Sequence, residues 1–411
     1  MRILILLGLL LAFLSASASP TFNGEVKAQY VYLDYPDSET NIITEHNPLY
    51  ETLLDFRLRS EYSSANWQTV AHYQLNRISG SQLDALNQLD PALSFSTVSN
   101  KQWFDLSHTI SHNQDTFTQH QLDRLFIRYS NQHSVIKIGR QALSWGNGLV
   151  FHPMDLFNPF SPDARDTSYK PGTDMLYAQW LFDSGADISF LAVPRRDPFT
   201  NRLTSSQSSA ALKWHHFIND IQLDVLIARD YTDRVFGLGI SGPLGEAIWR
   251  ADIVPVFPDH HGHRTSMIFN LQHAFQWLHK NMTGFVEYYR NGFGIPEDSY
   301  TLNDLPAELV ERLSRQQVFN SGRDYLSLGA QIEVTALLNI MPTFIFNLND
   351  QSTLSLIQGV YSSSQNTRIN FGLSHASGSS GSEYSGLETA TASNLYLQTP
   401  SQLYLRFNYY F

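Results

Sequence analysis

Period-two alternation runs through almost all of this 411-residue chain, and it dictates a fold built from strands. The C-terminal stretch shows it most plainly. In Ser401 to Phe411, Leu403, Leu405, Phe407, Tyr409 and Phe411 share one face, and Tyr404, Arg406, Asn408 and Tyr410 share the other. A repeat of two is the side-chain period of a strand. An apolar face opposite a polar one is what a lipid-facing barrel strand shows.

Eighteen segments carry this pattern. They start near Glu25, Leu53, Trp67, Gln121, Ser134, Asp174, Asp187, Ala210, Ile221, Val235, Ala247, Arg264, Asn281, Asp324, Leu338, Thr353, Asn366 and Leu403. Outward faces read as Leu54/Phe56/Leu58, Leu176/Ala178/Trp180/Phe182, Ile221/Leu223/Val225/Ile227 and Leu326/Leu328/Ala330/Ile332. The number is even, as single-chain bacterial barrels require. The expected fold is all-β: a transmembrane antiparallel β-barrel of about eighteen strands.

The connections support this threading. Alternate ones are short turns, at Ser63–Asn66, Asn131–His133, Ser184–Ala186, Phe217–Asp220, Gly242–Glu246, Trp277–Lys280 and Ser362–Gln365. The others include every long loop, near 78–117, 139–172, 290–322 and 376–400. Short periplasmic turns opposite long outer loops are the expected asymmetry. Trp67, Trp180, Trp214, Trp249 and Trp277 all fall at the short-turn ends of their strands, as one aromatic girdle would place them; Trp103 and Trp145 lie in outer loops. The loop at 290–322 should carry one helix, with Asp304 as cap, Glu308 in its first turn, and Leu309, Val310 and Leu313 on one side.

Residues 1–18 read as a secretory leader: Arg2, an apolar run from Ile3 to Leu14, and Ala16-Ser17-Ala18 before the cut. The barrel then spans 19–411 as one domain. No later stretch has the roughly 20 apolar residues of a membrane helix. There is no cysteine, so packing and backbone pairing must supply the stability. A net charge of −11 argues against nucleic acid as a partner.

The alternating aromatics ending in Phe407, Tyr409 and Phe411 resemble the C-terminal signature of Gram-negative outer-membrane β-barrels. That resemblance implies an outer-membrane location after Sec export and recognition of these residues by the barrel assembly machinery. It also implies contact with outer-membrane lipid and lipopolysaccharide. The lead-in Gly139-Arg140-Gln141, followed by Ser144-Trp145-Gly146-Asn147-Gly148, is similar to porins of the alginate-export type and related uncharacterised families.

This lead-in opens an unusual loop, Gly139 to Lys170. Gly146, Gly148, Pro153, Pro159 and Pro162 exclude a regular helix or strand, yet Trp145, Leu149, Val150, Phe151, Met154, Leu156, Phe157 and Phe160 are too apolar for water. It is the third outer loop, and in general porins the third outer loop folds inward and sets the constriction. The likeness implies the same here. Trp145, Phe151, Phe157 and Phe160 would pack on the wall, and Asp155, Asp163, Arg165, Asp166 and Lys170 would carry the charge of the constriction. Capping the barrel rim is the alternative.

By parity, Lys27, Arg57, Arg59, Arg124, Arg128, Lys137, Arg368 and Arg406 point inward, from strands that become neighbours when a barrel closes. Inward acids are Asp55, Glu61, Asp224, Asp252 and Glu287, three of them on the other half. A basic wall opposite an acidic one would select charged solutes by a transverse field. Mutual pairing of these groups is the bland alternative.

Asp259-His260-His261-Gly262-His263 could hold a metal, but it reads better as a solvated loop tip. His120, His215 and His216 read as wall residues. No Ser/His pair stands out as catalytic, so no enzyme activity, cofactor or metal is expected. The expected function is passage of small or linear solutes, anions among them. A plugged surface-binding or adhesion barrel is the alternative, and a loop-borne hydrolase is a weaker one.

Overall fold

The computed structural model describes residues 19–36, 47–89, 101–259 and 262–411. The leader expected at 1–18, and His260 and His261 of the His-rich loop, lie outside them.

The strands of the first half are β1 (Thr21–Asp34), β2 (Leu49–Ser64), β3 (Trp67–Ser79), β4 (Ser107–His112), β5 (Thr116–Ser130), β6 (Ser134–Gln141), β7 (Thr173–Leu181), β8 (Asp187–Val193), β9 (Ser209–Ile218) and β10 (Ile221–Asp230). The second half contributes β11 (Asp233–Leu244), β12 (Ala247–Phe257), β13 (Arg264–Trp277), β14 (Lys280–Arg290), β15 (Asp324–Thr335), β16 (Leu338–Asn347), β17 (Thr353–Ser364), β18 (Thr367–Ser377) and β21 (Ser401–Tyr410). Two residues each of β19 (Leu387–Glu388) and β20 (Tyr396–Leu397) make a separate hairpin in the last long loop.

The large sheet is 19-stranded, and every pairing in it is antiparallel between neighbours. β1 pairs with β2 on one side and with β21 on the other, so the sheet closes on itself. Closure leaves no edge whose N–H and C=O groups would face lipid unpaired. Setting aside β4, which lies only along the upper part of β5, eighteen strands form the wall.

β4 is a correction, since it falls within a stretch read as loop, together with a helix at Ser81–Leu89. Its cause is visible in the register. β6 pairs only with the lower part of β5, from Leu125 to Ser130. The upper part, Phe117 to Gln121, would be unpaired on that side without β4.

Apolar groups face out and charged groups face in. Leu54, Trp180, Leu328 and Phe407 are exposed, and Val225 shares its face with exposed Ile227. Glu25, Lys27, Arg57, Asp224, Asp252, Glu287 and Arg406 are buried on the other face. This inversion of the water-soluble pattern needs lipid around the barrel. Trp67, Trp180 and Trp277 are exposed on the outward face near the short turns, and Trp214 and Trp249 lie half-buried on the same face.

One irregularity matters for the site. Asp123 has no partner in β3, because the register shifts between His72 and Tyr73. This bulge lets two successive residues, Asp123 and Arg124, both point inward.

Three of the long loops pack together. Trp145, Met154, Leu156 and Phe157 of the third loop share one apolar cluster with Phe293, Ile295, Tyr300, Leu309 and Val318 of the loop after β14 and with Leu387 of the last loop. The helix in the loop after β14 spans Ala307–Ser314, and Pro306 stands at its N-cap. Asp304, the cap the sequence suggests, therefore does not cap it; it ends a 3-10 turn, and its carboxylate accepts the Thr301 hydroxyl at 2.6 Å. Leu309 and Leu313 pack inward, but Val310 is exposed.

Candidate functional site: the inner wall and its third loop

The third loop, residues 142–172, leaves β6 and returns at β7. Between these points it touches inward side chains from both halves of the ring.

Its first part is held by acids of the second half. Glu287 on β14 accepts three successive backbone N–H groups, from Leu149 at 2.7 Å, Val150 at 3.0 Å and Phe151 at 2.9 Å. Asp252 on β12 accepts the Asn147 N–H and side-chain amide, both at 2.7 Å. A buried carboxylate without donors would be costly, so these acids need the loop as much as the loop needs them. Gly146 has φ +100, and a Cβ there would lie 2.9 Å from the Asp252 carboxylate, so glycine serves both the turn and the approach. Gly148 has no positive φ; its place is set by crowding, since a Cβ would collide with the Phe151 carbonyl. Phe151 then stacks on Tyr289, with centroids 4.2 Å apart.

The returning part is held by bases of the first half. Lys27 donates to Asp166 at 2.7 Å and Ser168 at 3.0 Å. Arg406 reaches Asp166 at 3.3 Å and donates to the Arg165 carbonyl at 3.0 Å. Burial alone would raise the Asp166 carboxyl, but Lys27 and Arg406 outweigh it and hold it down to about 2. Arg165 in turn donates to Glu51 on β2 at 3.0 Å.

Tyr169 lies against two guanidinium groups, with Arg57 Cζ 3.4 Å and Arg124 Cζ 4.4 Å from its ring centroid. Its hydroxyl meets His72 Nδ1 at 2.6 Å. Burial pushes that hydroxyl up to about 12, so it stays protonated. Asp123 lies behind the two arginines, 3.4 Å from Arg57 and 2.6 Å from Arg124, and takes the Gly172 N–H at 3.2 Å.

The structure sorts the expected loop residues. Trp145, Phe151 and Phe157 are buried, and Phe160 is half-buried. Asp155 faces no opening: it is buried and pairs with Lys170 Nζ at 2.5 Å, within the loop itself. Burial pushes its carboxyl up to about 6 despite that lysine. Asp163 is exposed and accepts the Ser161 hydroxyl.

The expected wall charges divide in the same way. Lys27, Arg57, Arg59, Arg124 and Arg406 all lie in ion pairs with Glu25, Asp123 or Asp166. Arg128 and Lys137 lie in no ion pair among the described residues. Arg368 is exposed near the short-turn end, 5.5 Å over the Tyr410 ring. On the other half, Asp224, Asp252 and Glu287 are buried under partners. An open acidic wall, as the parity argument drew it, is therefore absent there. Asp55 is also buried, taking the Gln74 amide, and Glu61 receives Gln68 at 3.3 Å.

Three residues of this site were missed from sequence. Glu25, at the start of a segment, binds Arg59 at 2.6 Å and neighbours Arg57 and Lys27. Asp123 carried a usable signal, since strict alternation through Asp123-Arg124 would send one charge into lipid. Tyr169 carried none.

Solved porin structures share this architecture. OccK5 (OpdH) of Pseudomonas aeruginosa superposes with a TM-score of 0.55 at 10% identity, over 95% of this chain and 97% of that one. OccAB4 of Acinetobacter baumannii gives 0.54 at 8% identity, over 96% and 98%. A BenF-like porin from Pseudomonas fluorescens Pf-5 gives 0.53 at 10% identity, over 96% and 98%. No family model matches the chain, and no curated protein does. The likeness at such identities is one of fold. The chain has the fold of the outer-membrane porins: a closed antiparallel barrel of eighteen strands.

Proposed function

We propose that this chain is an outer-membrane channel for small or linear solutes, anions among them, narrowed by the third loop. One observation carries the reading: the loop is clamped by wall side chains of both halves, Glu287 and Asp252 on one and Lys27 and Arg406 on the other. A barrel of eighteen strands is too wide for side chains alone to fill, so a loop fixed across it sets the bore. Arg128 and Lys137, inward and outside any ion pair among the described residues, favour anions. The surroundings proposed with it are outer-membrane lipid and lipopolysaccharide, with Phe407, Tyr409 and Phe411 read by the assembly machinery.

A second reading, a plugged barrel that binds at its surface, is favoured by the apolar cluster shared by three long loops. Planar-bilayer recording separates the two. An open channel gives discrete current steps, larger when residues 149–162 are deleted. A folded protein without steps supports the plug. A folded deletion variant with steps of unchanged size would remove the loop from the permeation path.

A further inference from the structure

A cavity of about 230 Å³ opens at the long-loop end, between the third loop and segments the channel reading leaves without a role. Lys101 before β4, Leu156 and Asn158 of the third loop, Arg195 after β8, Tyr231 in the β10–β11 turn and Arg315 after the helix Ala307–Ser314 line it. At roughly 30 Å³ per water it has room for about seven waters. That suits a small ion with part of its hydration shell.

Its charge is unbalanced. Asp230 is shared by Arg195 at 3.8 Å and Arg312 at 3.7 Å. Asp233 is shared by Arg312 and by Arg315, the latter at 3.6 Å. Glu311 takes the second terminal nitrogen of Arg315. Four cations thus meet three carboxylates, and Lys101 is the one that lies in no ion pair among the described residues. Burial, then Arg315 and Arg195, pull the Lys101 ammonium below its usual range. An anion between these cations would offset their mutual repulsion.

The geometry is fixed in advance. The guanidinium groups of Arg195 and Arg315 lie 4.7 Å and 3.8 Å from the Tyr231 ring centroid. Tyr231 itself is held at φ 55, in a turn only two residues long. The Arg315 side chain is 9% exposed, and its buried Nη1 makes no hydrogen bond, lying 3.6 Å from the Asp233 carboxylate. Of the amides lining it, Gln102 donates to the Gly172 carbonyl at 3.2 Å, Asn158 to Thr173 at 2.7 Å and Gln317 to Asp230 at 2.6 Å. Lys101 and the Arg315 Nη1 are left as cationic donors, which suit an anionic acceptor.

We propose that this cavity binds a small oxyanion, such as phosphate, sulfate or a short carboxylate, between Lys101, Arg195 and Arg315. Such an ion would tie the segment before β4 and the loop after β8 to the helical loop, beside the third loop. The inference goes beyond conduction and does not depend on it, because binding can be read on a barrel that passes no current.

The test is calorimetric titration of the folded full-length barrel in detergent with sulfate, phosphate and succinate at constant ionic strength. Saturable binding of at least one anion is expected. Lys101→Gln should weaken it about tenfold, the loss of one charge-assisted contact. Lys101→Arg should restore most of it. Heat-modifiable migration on gels confirms that each variant is folded. The proposal is overturned by the absence of saturable binding for all three anions, or by wild-type affinity in Lys101→Gln.

Discussion

Glu287 accepts the backbone N–H of Phe151 at 2.9 Å, across 136 residues of chain, while the Phe151 ring stacks on Tyr289 two positions further along the same strand. One strand thus grips the loop by its backbone and by its side chain. Glu287→Ala would leave three amides without an acceptor. Each buried, unsatisfied donor costs about 1–3 kcal/mol, enough in sum to detach the segment. Amide hydrogen exchange over residues 147–153 should accelerate at least about tenfold while the wall strands keep their protection. Unchanged exchange there would mean that packing, and not this carboxylate, holds the loop.

The barrel seam depends on Phe411 and Gly24. They exchange backbone hydrogen bonds at 2.9 and 3.1 Å, and a Cβ on Gly24 would lie 2.5 Å from the Phe411 ring and 2.6 Å from the Arg57 carbonyl. Only glycine lets the ring lie over the joint between first and last strands. Gly24→Val should destabilise the folded barrel by about 1–3 kcal/mol, the usual penalty of overpacking. Deleting Phe411 should lower the yield inserted into the outer membrane. Heat-modifiable barrel in membrane fractions measures both effects, and wild-type levels in both variants would leave the seam without this role.

Asp155 predicts a pH dependence. Its folded carboxyl is pushed up to about 6, chiefly by burial, against about 3.9 in an unfolded chain. A raised folded pKa contributes stability that is full below the unfolded value and lost as pH rises through the folded one. Wild type should therefore lose stability relative to Asp155→Asn between about pH 4 and pH 6, by about 3 kcal/mol at most. Urea midpoints of the two proteins across that window give the difference directly. A constant gap between them would show that Asp155 keeps an ordinary carboxyl.

The wall was readable in the sequence because each strand spans lipid on one side and repeats every two residues. β4 was not, since Ser107-His108-Thr109-Ile110-Ser111-His112 has too few apolar groups to declare a face. Nor was the use made of the wall charges. Parity tells that Glu287 and Lys27 point inward, but their partners lie on a loop whose path only the packed barrel decides. Alternation also assumes an unbroken ladder, and the bulge at Asp123 breaks it. The loop's apolar residues did announce burial, whereas its Asp155–Lys170 pair looked like two free charges.

That division of the wall charges changes which substitutions report on selectivity. Arg128 and Lys137 are register partners on β5 and β6. Like charges side by side on one sheet face cost stability, so structure alone gives no reason to keep them. Among the described residues Lys137 reaches only the Tyr177 ring, 5.5 Å from its centroid. Neutralising both, as Arg128→Gln with Lys137→Gln, should move the reversal potential in a salt gradient towards cation preference and leave the step size nearly intact. Arg57 and Arg124 should behave differently, because they lie against Tyr169 and share Asp123. Arg57→Gln or Arg124→Gln should loosen the returning half of the third loop, and the current should become noisier and larger. A double variant at positions 128 and 137 with the wild-type reversal potential would show that permeating ions do not sense this part of the wall.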